Sequence, residues 1–246
     1  METINFVTEF GQLEHLRLLR IRSYTPESGK FLATVLAESL KHLTSLETLN
    51  LAGNRIGYDG VIAVTGGLKS LTSLKTLDLS MSGMGDRSAA KLAEGIKHLP
   101  SLNTLNLAGN NIGIDGAAAL TRGVKNLTLL KTLHLEYNRI ESRGIAKLVE
   151  GIKHLTSLET LNLAENGIGC DGVVALTGGF KNLTSLKTLD LSMRGMGDRC
   201  ATKLAEGIKY LPSLETLSLT RNEIGYDGVE ALIGSVKNLT SLKNSI

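Results

Sequence analysis

The sequence repeats itself every 28 residues, and this period constrains the fold more than any other feature. Leu46-x-x-Leu49-x-Leu51 recurs from Leu74, Leu102, Leu130, Leu158, Leu186 and Leu214, and a last copy starts at Leu242. An earlier copy, Leu16-x-x-Leu19-x-Ile21, precedes Leu46 by 30 residues, with the two extra residues around Tyr24–Ser28. A longer duplication overlies the short one. Residues 45–101 match residues 157–213, four repeats on, at all but 11 of 57 positions.

Each unit reads as strand, loop, helix and turn. Leu49 and Leu51 face one side of a short strand, and Thr48, Asn50 and Ala52 face the other. A polar turn follows, Ala52-Gly53-Asn54-Arg55-Ile56-Gly57. Apolar residues then fall at 61, 64, 68 and 71, steps of three and four that predict a helix. Asp59, Asp115, Asp171 and Asp227 stand where a helix N-cap is expected. Gly57, Gly113, Gly169 and Gly225 stand where the loop is expected to need positive φ. One such unit cannot bury its apolar face alone. Stacked units close a continuous core, with the strands in one parallel sheet and the helices behind it.

Composition agrees with a repetitive aliphatic core: hydrophobic residues make up 42%, with four Phe, five Tyr and no Trp. Two Cys in 246 residues exclude a disulfide-built scaffold. No apolar run approaches the roughly 18 residues needed to span a membrane. The N-terminus lacks a signal-peptide pattern. With so few cysteines, the expected location is cytoplasmic, or the cytosol of a host cell for a microbial effector. The net charge of +3 does not by itself imply nucleic acid.

The residues Leu46-x-x-Leu49-x-Leu51-x-x-Asn54-x-Ile56-x-x-x-Gly60-x-x-x-Val64 resemble the leucine-rich repeat consensus. The repeat length and full helix resemble the ribonuclease-inhibitor-like subclass. The resemblance implies an α/β fold: a right-handed solenoid, or horseshoe arc, with a parallel β-sheet on the concave face and α-helices on the convex face. Residues 1–15 are expected to form an irregular N-terminal cap, and 16–246 a solenoid of about eight repeats without a C-terminal cap. The resemblance also implies that Asn54, Asn110, Asn138, Asn166 and Asn222 are buried and bond backbone groups of adjacent turns. Ser82 and Arg194 depart from that column. An unpaired buried Arg costs several kcal/mol, so Arg194 is expected to turn outward and reshape the loop 193–197.

The inner strand face is mostly small and neutral, with a column of Thr from Thr48 to Thr216. The repeat after Leu130 is different. It carries His134, Glu136, Tyr137 and Arg139, then Glu141 and Arg143, in a loop that breaks the Ile-Gly-x-Asp-Gly pattern of other copies. Tyr and Arg are frequent interface anchors, so these six residues are the candidate partner-binding patch. A second column, Glu47, Lys75, Asn103, Lys131, Glu159, Lys187, Glu215 and Lys243, predicts a ladder of exposed ion pairs. The Lys column from Lys41 to Lys237 falls near helix C-termini, where it complements the helix dipole. No aromatic interleaving supports nucleic-acid binding there.

No phosphate loop or zinc-spaced Cys pair is present, and no cofactor or metal is expected. His42, His98 and His154 are 56 residues apart, too far to share a metal. Asp78 and Asp190 lie four repeats apart, too far for an acid–base pair. Cys170 and Cys200 replace Tyr58 and Ser88 of the duplicated block and read as drift. The expected function is a non-enzymatic protein–protein interaction module, a sensor domain or an effector, presenting a rigid curved surface to a protein partner. Self-association through the uncapped C-terminal edge is a further expectation. Two other readings stand beside it: a GTPase-activating protein resembling the Ran GTPase activators, and a structural repeat protein with no tight partner.

Overall fold

The computed structural model describes residues 15–22, 36, 38–193 and 195–236. The expected cap over residues 1–14, the Arg194 side chain and the last copy beginning at Leu242 lie outside the described residues, as do Lys237 and Lys243. Among the described residues, eight strands form one parallel sheet in sequence order. They are β1 (Leu18–Arg20), β2 (Thr48–Asn50), β3 (Thr76–Asp78), β4 (Thr104–Asn106), β5 (Thr132–His134), β6 (Thr160–Asn162), β7 (Thr188–Asp190) and β8 (Thr216–Ser218). The register is the sequence period itself: Leu49 pairs with Leu77, Leu77 with Leu105, and so on to Leu189 with Leu217.

Among the described residues, one α-helix follows each of β2 to β8. They are α1 (Gly57–Leu68), α2 (Asp86–Ile96), α3 (Ile114–Val124), α4 (Glu141–Ile152), α5 (Gly169–Gly179), α6 (Gly197–Ile208) and α7 (Tyr226–Val236). Strands repeat about every 4.8 Å while packed helices need about 8–10 Å. The stack therefore curves, with strands on the concave face and helices on the convex face.

The core is a set of leucine columns. Leu49, Leu77, Leu105, Leu133, Leu161 and Leu189 are fully buried, and the two sheet-edge members, Leu19 and Leu217, are slightly open. Full burial of each such side chain stabilises the fold by about 1.5–3 kcal/mol, so stability accrues repeat by repeat. Most of the expected Asn column is present: Asn54, Asn110, Asn138 and Asn166 are buried, whereas Asn222 is only half-buried, though its Nδ2 still donates to Leu191 O (3.2 Å) and Leu219 O (2.8 Å). Asn110 Nδ2 donates to Leu79 O at 3.0 Å and to Leu107 O at 2.9 Å. Its Oδ1 accepts from Ser82 N and Met84 N. One amide thus satisfies backbone groups of two turns that no strand or helix reaches. The Lys column sits where expected, with Lys69, Lys97, Lys125, Lys153 and Lys209 at helix C-caps.

Two local expectations are corrected. Asp59, Asp115, Asp171 and Asp227 lie inside the first helical turn rather than at the N-cap. Side-chain capping instead crosses between repeats. Asp86 Oδ1 accepts from Gly113 N, and Asp198 Oδ1 accepts from Gly225 N at 2.6 Å and Gly228 N at 3.1 Å. An aspartate in one helix therefore serves the orphan N–H groups of the next helix. Positive φ is found at Gly57 (61°) and Gly169 (60°) but not at Gly225, and Gly113 is extended at φ −101°. The helix there starts one residue later, so no left-handed residue is required.

Candidate functional site

The concave face is built by the outward positions of the three-residue strands and by the residues just after them. In this row Tyr137, Glu165 and Arg221 all have φ near +55–60° (56°, 54° and 62°). Left-handed backbone at a non-glycine residue costs about 1–2 kcal/mol. It is held here by ladder bonds such as Tyr137 N to Ala164 O (2.9 Å) and Glu165 N to Ser192 O (2.8 Å). The consequence is geometric: each side chain is raised on the rim where the strand turns into its loop.

These side chains border a concave depression of about 340 Å³. Glu136, Tyr137, Glu165, Asp190, Ser192 and Arg221 are among its walls. Arg221 Nη1 reaches across two repeats to Glu165 Oε1 at 3.1 Å. Deeper in, Asp190 accepts from Ser192 Oγ (2.6 Å), and Thr220 Oγ1 donates to Ser192 Oγ (2.8 Å). The floor is a hydrogen-bonded polar network, and the rim carries one aromatic ring and one ion pair. Tyr137 is 59% exposed, so its ring stands in solvent at the edge of the depression.

The structure divides the six predicted residues into two groups. His134, Glu136 and Tyr137 stand together on the concave side. His134 Nδ1 lies 3.4 Å from Glu136 Oε2, long for a hydrogen bond, and neither buried atom has another partner. This polar contact with Glu136 holds the imidazole pKa above its ordinary 6.5. Burial opposes the shift, and the charges of Glu136 and Asp78 add to it. Arg139, Glu141 and Arg143 instead lie on the exposed loop and the start of α4, and form no ion pair with another described residue. Glu141 adopts φ 56° where Gly57 and Gly169 stand in the equivalent repeats. Glu165, Asp190, Ser192 and Arg221 complete the depression and were not singled out from sequence. The available signal was the replacement of Gly53 by Glu165 within a nearly identical block.

The flanking charges follow the expected ladder. Lys75 Nζ is 2.9 Å from Glu47, and Glu159 is shared by Lys131 (3.0 Å) and Lys187 (2.7 Å). Asn103 interrupts the ladder between them. These hydrogen-bonded pairs hold the Glu47 and Glu159 carboxyls below the usual carboxylate range. The lysines are exposed and the two carboxylates half-buried, so solvent screens these pairs and the ladder tunes register more than stability. Among the described residues, no helix is long and apolar enough to cross a membrane.

Comparison with known proteins returns the same architecture. The leucine-rich repeat region family matches residues 63–245, and a leucine-rich repeat family matches residues 42–64. No curated protein sequence matches significantly. Among solved structures, leiomodin-1 actin-binding site 2 is similar at 16% identity and TM-score 0.50, covering 60% of this chain and 86% of that one. A chain of the octameric complex of Latrophilin 3 (Lec, Olf), Unc5D (Ig, Ig2, TSP1) and FLRT2 (LRR) is similar at 21% identity and TM-score 0.58. That match covers 94% of this chain and 60% of the other. At these identities the likeness concerns the fold alone.

Proposed function

The chain belongs to the leucine-rich repeat family, and from that premise we propose that it is a non-enzymatic module that binds a protein partner on its concave face. Leucine-rich repeat domains generally mediate protein–protein interaction. The observation that carries the reading is the depression bordered by Tyr137 and the Glu165–Arg221 pair. An exposed Tyr ring beside an Arg is the side-chain chemistry of binding hot spots. The strained rim backbone holds both in place before any partner arrives, which lowers the ordering cost of association. Convex helices of 11 or 12 residues and a stagger of 28 residues between paired strands support the ribonuclease-inhibitor-like subclass. The two free thiols support a reducing, cytoplasmic setting.

The candidate patch now has two separable halves. The test is affinity capture followed by binding titration, with Tyr137→Ala/Arg221→Ala compared against Arg139→Ala/Arg143→Ala. Loss of at least about tenfold in affinity for the first pair alone, roughly 1.4 kcal/mol, places the partner in the depression. Unchanged binding by the first pair overturns this reading, and loss only by the second moves the interface to the loop edge. Circular dichroism of both double variants controls for folding.

A further inference from the structure

We propose that Cys170 and Cys200 are a redox-active pair that closes a reversible disulfide between two adjacent repeats. The two residues come from different units and are 30 positions apart, on the first turn of α5 and inside α6. The same offset appears in other repeats, where the packing is tighter still. A Cβ placed on Gly116 would lie 3.0 Å from Asp86 Cα, one on Gly144 3.3 Å from Ile114 Cα, and one on Gly172 3.1 Å from Ser142 Cα. At this register the later residue sits directly against the backbone of the earlier one, which is why glycine fills the position in those units. Position 200 carries a thiol there instead, and the residue it faces is the only other cysteine in the chain.

The two thiols lie close enough to influence each other: after burial, the neighbouring Cys170 side chain is the next cause that pushes the Cys200 pKa up. Cys200 is buried in the core, while Cys170 is partly open and packs against it. A disulfide requires Cβ atoms about 3.5–4.5 Å apart. Cys170 and Cys200 occupy the register that elsewhere sets a Cβ within 3.0–3.3 Å of the facing Cα, and the proposed bridge rests on that closeness. Both cysteines are also departures from the first copy of the block, which has Tyr58 and Ser88. In that copy Arg87 stacks on the Tyr58 ring at 4.2 Å. The second copy thus replaced a cation–π contact at the same corner of the solenoid with two facing thiols.

The difference in burial assigns the order of events. Cys170, the accessible thiol, attacks as its thiolate one sulfur of a small-molecule disulfide such as oxidised glutathione. That S–S bond breaks, one glutathione thiolate leaves, and Cys170 carries a mixed disulfide. Cys200 then gives its proton to solvent and attacks Cys170 Sγ, expelling the second glutathione thiolate. The protein loses two electrons and two protons, and one glutathione disulfide becomes two thiols. Burial and the neighbouring Cys170 thiol push the Cys200 thiol up to about 12, so the closing step is slow at neutral pH and quickens as pH rises. The bridge would staple α5 to α6 behind the repeats that carry Glu165 and Met193.

The experiment treats the reduced full chain with oxidised glutathione and follows intact mass, free thiols and melting temperature. The expected result is a transient glutathione adduct. It gives way to a monomer lacking both thiols and two hydrogens, with a melting temperature higher by about 5–10 °C. Cys200→Ser, which installs the residue found at Ser88, is expected to fold and to stop at the adduct. Cys170→Ser is expected to stay unmodified. A wild-type adduct that persists at pH 9, two thiols that remain free, or cross-links only between chains would each overturn the proposal. None of these readouts depends on the partner-binding reading.

Discussion

Residues 45–101 and 157–213 differ at 11 of 57 positions, and the two copies place those differences very unevenly. The strands and their leucines are identical and equally buried: Leu49, Leu51, Leu77 and Leu79 have the same environment as Leu161, Leu163, Leu189 and Leu191. The helix interior changed instead. Val64 and Leu68 became Leu176 and Phe180, and all four are buried. In the first copy the helix runs unbroken from Gly57 to Leu68. In the second it ends at Gly179, and Phe180–Asn182 winds into a 3₁₀ turn. The next helix approaches this position about equally in both copies: a Cβ on Gly207 would lie 3.3 Å from Phe180 Cδ2, and one on Gly95 3.1 Å from Leu68 Cδ1. The rim changed too. Gly53 and Arg55 became Glu165 and Gly167, which moved the left-handed non-glycine residue from 55 to 165 and put a carboxylate over the depression. The strand columns act as a fixed frame, and the helix ends and rim absorb variation.

The largest test of this contrast targets the frame. Leu77→Ala and Leu189→Ala remove equivalent side chains with no exposed surface. Each is expected to cost about 2–5 kcal/mol in urea denaturation, from lost transfer energy and a residual cavity. The two costs should agree closely, because the two side chains are equally buried on equivalent strands. A larger gap would show that the strand columns of the two copies are not energetically equivalent.

A smaller effect is expected at the helix end. Leu68→Phe transplants the second copy's ring into the first without the remodelled turn. Overpacking of this kind costs about 1–3 kcal/mol. Adding Val64→Leu should not recover it, because the required change is in the backbone of the last turn rather than in side-chain volume. Full recovery by the double substitution would attribute the 3₁₀ turn to something other than the ring.

The frame was legible in the sequence and the variable parts were not, for a physical reason. A period-28 leucine column can be buried only if each copy lies on the last, so the spacing of Leu49, Leu77 and Leu105 predicts their pairing. The helix starts depend on cross-repeat contacts such as Asp198 with Gly225 and Gly228. No single repeat contains both partners, so reading Asp59 or Asp115 within its own unit led to the wrong cap. The site was half legible for the same reason. The deviant repeat exposed His134, Glu136 and Tyr137 as unusual, but the depression also needs Arg221, brought over Met193 to Glu165 by stacking alone. Cys170 and Cys200 look like drift when each is compared with its own equivalent. They become a pair only when the 30-residue offset is recognised as a contact between repeats.

The finest comparison lies at the middle strand, between the two copies. His134 on β5 has Asp78 two strands before it and Asp190 two strands after it, at about 10 Å on either side by strand spacing. Sequence symmetry makes the two aspartates equivalent, yet it is the charge of Asp78 that contributes to raising the His134 pKa, after the polar contact with Glu136. A raised pKa means that the fold favours the imidazolium. The associated stability is fully present below pH 6.5, the ordinary value, and is lost as pH rises through the raised folded value. Because the imidazole is partly exposed, solvent screens much of this effect, and a direct titration is the appropriate readout. Following the His134 ring protons by NMR, Glu136→Gln is expected to lower the pKa most, Asp78→Asn less, and Asp190→Asn least. If Asp190→Asn moves the titration as far as Asp78→Asn, the two copies are electrostatically equivalent about β5, and the asymmetry between them is confined to the helix ends and the rim.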